Sequence, residues 1–137
     1  LISPIVEWFA PDILVTQLGM DPYFRDPITH LGLTIQGHAH LVKSFRDLTN
    51  SIPWLALGGG GYDISAVIRG WTIDYGIMLD MIWPDIIPSS YKGSHGLTNL
   101  YEQTKPAIDE VTFRTTNQFA KDGIEELKDK VFRLHSI

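Results

Sequence analysis

Residues 55–62, LALGGGGY, are an apolar run that stops abruptly in four glycines and a tyrosine. Backbone without Cβ atoms can approach a ligand closely, and the hydroxyl of Tyr62 would then stand at the mouth of that opening. A phosphate-binding loop would carry a lysine and a serine or threonine directly after the glycines, and neither is present there. The stretch is therefore compatible with a different kind of binding site and equally with a tightly packed turn.

A second apolar run, residues 13–17, leads through Gly19 to Asp21. The Asp21 carboxylate is a suitable metal ligand, and the Tyr62 hydroxyl could donate a hydrogen bond to a carbonyl oxygen that gains negative charge. Adjacent parallel strands lie about 4.8 Å apart, so both side chains could reach one site. The alternatives are that Asp21 caps its own loop and that Tyr62 is a packed aromatic residue whose hydroxyl is hydrogen-bonded.

The histidines offer less to such a site, and the chain has no cysteine for a thiolate zinc site or a disulfide. His38 and His40 are two residues apart on a predicted helix and face different sides, which makes them a poor metal pair. His30 alone falls in the loop after the first run. We expect His95 and His135 on the surface.

Two strands and two helices must position these groups. Residues 13–17 and 55–57 read as buried strands, Thr34 caps a helical pattern that runs to Leu48, and another pattern follows Tyr62. The order strand, helix, strand, helix is typical of a parallel α/β sheet. Because such a sheet needs more strands and two covered faces, we expect the chain to be part of a larger domain.

The second helix shows an apolar stripe, with Arg69 and Asp74 predicted to lie off it. Its members are Ile64, Val67, Ile68, Trp71, Tyr75, Met78 and Leu79. Residues 83–115 contain three prolines and read as irregular, and a last amphipathic helix is expected from about Asn117.

The composition limits the possible functions. A length of 137 residues suggests one domain or part of one, and a net charge of -5 argues against a nucleic-acid partner. No apolar run is long enough for a membrane helix. The start, LISP, lacks a methionine and a basic region, so we expect the middle of a longer protein rather than a signal peptide.

Several ordered motifs resemble the C-terminal part of the zinc-dependent histone deacetylase family, including bacterial deacetylases of the acetoin-utilisation type. They are PDILVTQLGMD at residues 11–21, Asp26-Pro27, Leu33-Thr34, Gly37-His38, LGGGGY at residues 57–62, and Arg69-x-Trp71. The resemblance covers residues 5 to 80.

The resemblance implies a role for each matching position. Asp21 corresponds to the family's second zinc-binding aspartate, and Tyr62 to the tyrosine that polarises the acetyl carbonyl. Gly60 and Gly61 correspond to the floor of the acetyl-lysine channel, and Ile28 to a substrate-contacting residue at its rim. In the family mechanism, zinc activates a water molecule and a histidine acts as general base.

The family's other two zinc ligands and its paired histidines lie upstream of the matching region. We therefore expect Asp21 to be one of three protein ligands and the chain alone to be inactive. The prediction is an α/β portion of the parallel-sheet, three-layer arginase/deacetylase-like fold, with two strands and flanking helices. Residues 1–82 form the core with the active-site loops, and residues 83–137 form an irregular segment and a C-terminal helix.

The resemblance also implies a cytoplasmic enzyme whose substrate is acetylated protein lysine. Two alternatives remain open: a deacetylase of small acetylated amines such as acetylpolyamines, and a non-catalytic α/β interaction module. An incomplete sheet would expose an edge, so self-association is also expected.

Overall fold

The computed structural model describes residues 1–91 and 96–136. Two compact units are present, Ile13–Lys105 and a second formed by Leu1–Asp12 with Pro106–Ile137. The first unit contains β1 (Leu14–Gln17), α2 (Ile35–Leu48), β2 (Trp54–Leu57), α3 (Ile64–Met78) and a short 3-10 helix, Ser89–Tyr91. The second contains α1 (Ile2–Phe9), α4 (Glu110–Leu127), a π-helical turn (Lys128–Phe132) and α5 (Arg133–His135).

The two strands pair in parallel, with Leu14 opposite Trp54 and Gln17 opposite Leu57. The Trp54 indole also donates to the Thr16 hydroxyl across the pair, at 2.9 Å. A parallel pair requires a crossover, and α2 provides it. The predicted α/β class, with two parallel strands and flanking helices, is confirmed.

Both helices of the first unit begin where a capping residue stands in the sequence. The Thr34 hydroxyl accepts the backbone N–H of Gly37 at 3.0 Å, and the Asp63 carboxylate accepts that of Ala66 at 3.1 Å. Each cap satisfies a donor that the first helical turn leaves free. The predicted start of α2 is therefore confirmed, and Asp63 explains why α3 begins directly after the glycine turn.

The core of the first unit joins the strand-end loop to both helices and to the chain beyond α3. Its buried members are Met20, Tyr23, Ile35, Ala66, Ile73, Ile87 and Leu100. Asp85 closes the turn that brings the last two together, because its carboxylate accepts the Tyr101 N–H at 2.9 Å and an Asn99 amide N–H at 2.7 Å. Part of the segment predicted to be irregular is thus packed against the core.

The predicted orientation of α3 is wrong. Arg69 and Asp74 are 5% and 4% exposed, whereas Tyr75 of the predicted stripe is 60% exposed. Buried charged groups are tolerated when they are paired. Asp74 accepts the Nε2–H of buried His38, which lies 2.9 Å from both carboxylate oxygens. Burial raises the pKa of Asp74, and the hydrogen bond from His38 partly opposes that rise.

Arg69 is held by a second buried carboxylate, that of Glu102. Glu102 Oε1 lies 3.1 Å from Arg69 Nη1, but it lacks a well-aligned hydrogen bond, so their attraction is chiefly Coulombic. Glu102 Oε2 accepts the backbone N–H of Ile35 at 2.9 Å, at the N-terminus of α2, where a negative charge is favoured. The Tyr23 hydroxyl accepts a further hydrogen bond from Arg69 at 2.9 Å. One carboxylate thereby joins α2, α3 and the segment around residue 102.

One face of the sheet is exposed within this unit. Val15 pairs with Leu55 in the register, and these side chains, together with Leu57, are about half exposed. Parallel sheets are ordinarily covered on both faces. This apolar face is therefore uncovered in the described part of the chain.

In the second unit, α4 begins at Glu110, seven residues before the predicted start. The Asp109 carboxylate caps it by accepting the Thr112 N–H at 2.9 Å; the capping signal was therefore present in the sequence. Near the end of this unit, the rings of Trp8 and His135 lie 4.4 Å apart. Across residues 1–91 and 96–136, no helix combines the length and the apolar character needed to span a bilayer.

Glu102→Ala should destabilise the 137-residue chain by about 3–5 kcal/mol, because it leaves the buried Arg69 charge without its partner. Urea unfolding followed by circular dichroism measures the change. Glu125→Ala is the matched control: its partner is Lys128 and both side chains are exposed, so a loss of only about 0.5 kcal/mol is expected. Equal losses in the two variants would contradict the assignment.

Candidate active site

The site lies where both parallel strands end, because the glycine turn after β2 folds directly onto the chain after β1. Leu18 N–H donates to Leu57 O at 2.8 Å, and Met20 N–H donates to Gly60 O at 2.7 Å. A Cβ at Gly59 would lie 2.9 Å from the Cα of Gly19, which is closer than real Cβ contacts come. The absence of side chains is therefore what permits the two segments to touch.

The Asp21 carboxylate lies against the backbone of Gly60. A Cβ at Gly60 would fall 2.8 Å from the Asp21 carboxyl carbon and 2.9–3.0 Å from its two oxygens. The Asp21 side chain thus lies at the glycine turn. Its main-chain carbonyl accepts the Thr29 hydroxyl, which ties the two ends of the loop that follows.

Gly61 and Tyr62 complete the turn. Gly61 has a φ of 145°, a conformation that side-chain-bearing residues rarely adopt, and a Cβ there would lie 2.7 Å from Val67 Cγ2. Tyr62 follows immediately and is 53% exposed. Tyr62 is therefore about half exposed beside the turn rather than a buried, packed aromatic residue.

Asp26 is a site residue for which the sequence analysis assigned no role. Its side chain accepts the backbone N–H of Ile28 at 2.9 Å and that of Thr29 at 3.1 Å, and also the N–H of Tyr62 at 2.9 Å. The first two bonds form an Asx turn, a pattern that an aspartate in a turn can signal. The loop-capping role considered for Asp21 thus belongs to Asp26, five residues later.

The electrostatics of Asp26 follow from these bonds. The residue is 6% exposed, and burial by itself raises the pKa of its carboxyl. The hydrogen bonds from Tyr62, Ile28 and Thr29 outweigh that effect and hold the pKa below its usual value. Asp26 is therefore an ionised acceptor between the loop and the glycine turn.

Ile28 lies on the same loop and is 61% exposed, next to the Asx turn that fixes its backbone. His30, the histidine expected nearest the site, is also exposed. His38 is buried and His40 exposed, in agreement with their predicted opposite orientations. His95 lies outside the described residues.

The residues around the glycine turn can supply only part of the coordination sphere of a zinc ion. Asp21 offers a carboxylate beside bare backbone, which suits one metal–oxygen bond. No cluster of three potential ligands from histidine, aspartate and glutamate exists among residues 1–91 and 96–136. A site with three protein ligands is therefore not formed by these residues alone.

The chain is similar to proteins of one known family. The model of the histone deacetylase domain matches residues 1–77. The chain is 40% identical over 90 residues to histone deacetylase 9 of Arabidopsis thaliana, which covers 66% of this chain and 21% of the relative. It is 30% identical over 132 residues to human histone deacetylase 1, covering 96% of this chain and 26% of the relative.

Among solved structures, the crystal structure of an HDAC homolog complexed with SAHA matches with a TM-score of 0.60. The match has 21% sequence identity and covers 86% of this chain and 36% of the other, so it supports the fold. This chain spans about a quarter of the length of the relatives above. The acetoin-utilisation branch stays a prediction, since the relatives named here are plant and animal proteins.

Gly60→Ala should destabilise the chain by about 1–3 kcal/mol, because the new methyl group overlaps the Asp21 carboxylate. Urea unfolding measures the loss. Gly123→Ala is the control: no atom lies within 4 Å of its added Cβ, and removing a helical glycine should stabilise by about 0.5–1 kcal/mol. A Gly60→Ala variant as stable as the parent chain would show that the contact is looser than described.

Proposed function

The chain belongs to the histone deacetylase family, and from that premise we propose that it contributes one zinc ligand and the carbonyl-polarising tyrosine to a deacetylase of acetyl-lysine amides. The observation that carries the proposal is the position of the Asp21 carboxylate against Gly60, two residues before Tyr62. Acetylated protein lysine is the proposed substrate. The enzyme in which this chain acts, called the complete enzyme below, supplies the other ligands and the general-base histidine.

Asp21 and Tyr62 each have a defined role in that reaction. A bound zinc ion would polarise the amide carbonyl and activate water. Asp21 contributes one carboxylate bond to that ion. The Tyr62 hydroxyl donates a hydrogen bond to the carbonyl oxygen, and this bond strengthens as water addition places negative charge on the oxygen.

The backbone around the turn shapes the channel in which the acetyl group lies. The acetyl group would lie beside the main chain of Gly60 and Gly61, with Tyr62 next to it. Ile28 is exposed on the neighbouring loop and would contact the aliphatic part of the lysine at the rim. A cytoplasmic location is part of the same proposal.

A non-catalytic association module is the second candidate, and the exposed apolar face around Val15 and Leu55 favours it. In that case a second copy of this chain would cover the face. Sedimentation equilibrium of the 137-residue chain tests it: a dimer that Val15→Asp dissociates would support the module, and a monomer at all concentrations would exclude self-association.

Zinc content and hydrolysis of an acetyl-lysine peptide test the main proposal. We expect the 137-residue chain to bind no stoichiometric zinc and to hydrolyse no peptide, since Asp21 is its one proposed zinc ligand. The complete enzyme should bind zinc and hydrolyse the peptide. Acetylpolyamine as a competing substrate separates the small-amine alternative. Zinc and turnover in the isolated chain would contradict this account of the ligands.

Tyr62→Phe in the complete enzyme should lower kcat by about 10²–10³-fold with KM nearly unchanged, as expected for losing one oxyanion donor. Steady-state kinetics on an acetyl-lysine peptide measure it. Tyr75→Phe is the matched control, since this tyrosine is exposed on α3 and should leave kcat within about twofold. Activity of Tyr62→Phe within tenfold of the parent would remove Tyr62 from the proposed role.

A further inference from the structure

The carboxylate of Asp26 joins the two segments on which the proposed chemistry depends. Its Oδ2 accepts the N–H of Tyr62 at 2.9 Å. Its Oδ1 accepts the N–H groups of Ile28 at 2.9 Å and Thr29 at 3.1 Å. One side chain thus fixes the main chain of the tyrosine and the loop that carries Ile28 at the same time.

Only a side chain with two acceptor oxygens can make all three bonds. An asparagine in this place has one acceptor and one donor group. It would therefore present an N–H₂ either to Tyr62 or to the pair of Ile28 and Thr29. Because Asp26 is 6% exposed, water is poorly placed to replace the lost acceptor.

Tyr62 depends on this bond more than a packed residue would. The residue is 53% exposed, so it has fewer neighbouring atoms than a buried tyrosine. On its N-terminal side stands a run of four glycines, residues with the widest range of intrinsically allowed backbone conformations. On its C-terminal side the Asp63 cap fixes the start of α3. The hydrogen bond to Asp26 holds the main chain at the tyrosine itself, between the glycine run and the helix.

We propose that Asp26 is a positioning residue that sets the catalytic orientation of Tyr62 through its main-chain N–H. This inference rests on the function proposed for Tyr62 and adds a residue that acts through it. Asp26 touches neither substrate nor metal in this role. Replacing Asp26 should therefore lower kcat only when the Tyr62 hydroxyl is present.

A double-mutant cycle in the complete enzyme tests this dependence. Asp26→Asn alone should lower kcat by about 10–10²-fold, the scale expected for misplacing a reacting group. In the Tyr62→Phe background, the same substitution should change kcat by less than about threefold, because residues that act through one another are not additive. Thermal unfolding and zinc content are measured on all four proteins.

Asp85→Asn is the matched control, since Asp85 also accepts a backbone N–H and two side-chain N–H groups. It serves the turn that reaches residue 101, and kcat should stay within about twofold. Asp26→Glu keeps two acceptor oxygens and should recover part of the activity lost in Asp26→Asn. If Asp26→Asn does not fold, Asp26→Glu takes its place in the cycle.

Three results would overturn the positioning role. Equal fold-losses from Asp26→Asn in both backgrounds would mean that Asp26 and Tyr62 act independently. Loss of zinc in Asp26→Asn would mean that the substitution acts through the zinc ligand Asp21. A decrease in kcat in Asp85→Asn as large as that in Asp26→Asn would show a general effect on folding. Failure of the proposed function is seen separately, as full activity of Tyr62→Phe or no hydrolysis by the parent enzyme.

Discussion

The close approach of the glycine turn to the end of β1 is the constraint on which the rest of this structure depends. Main-chain hydrogen bonds from Leu18 and Met20 continue the parallel pairing past the ends of both strands. They can form only because the turn carries no Cβ atoms where the two segments meet. Because of this contact, the Asp21 carboxylate lies against the main chain of Gly60, two residues before Tyr62.

Two buried pairs of polar side chains connect the helices that follow the two strands. His38 and Asp74 join α2 to α3, and the Arg69–Glu102 pair joins both helices to the segment that follows them. Buried charges are expensive to desolvate, so such pairs add less to net stability than equally large apolar contacts. Their effect is geometric: each carboxylate has few groups it can pair with, and these partners fix how the helices are turned.

The pairing of Arg69 also explains the unusual exposure of α3. The helix buries Arg69 and Asp74 together with Ala66 and Ile73, whereas Tyr75 is exposed. The exposed sheet face around Val15 and Leu55 shows the same feature. Because the chain spans about a quarter of its relatives, these surfaces are compatible with further protein of the same domain lying on them, as the proposed complete enzyme requires.

The sequence by itself indicated the two strands, the two helices that follow them, and their order. Local signals carry this information: Thr34 and Asp63 cap helices through bonds to residues three positions away, and glycines end both strand segments. The ordered motifs around Asp21 and Tyr62 identified the family for the same reason, since their spacing is visible along the chain.

Only the tertiary structure decided which residues are buried and which groups meet. Periodicity could not orient α3, because apolar residues lie on more than one of its sides and the buried side is chosen by what packs there. Asp26 bonds Tyr62 across 36 residues, and Glu102 bonds Ile35 across 67. A local pattern cannot specify such partners, because their distance apart is set by strand pairing and helix packing rather than by spacing along the chain.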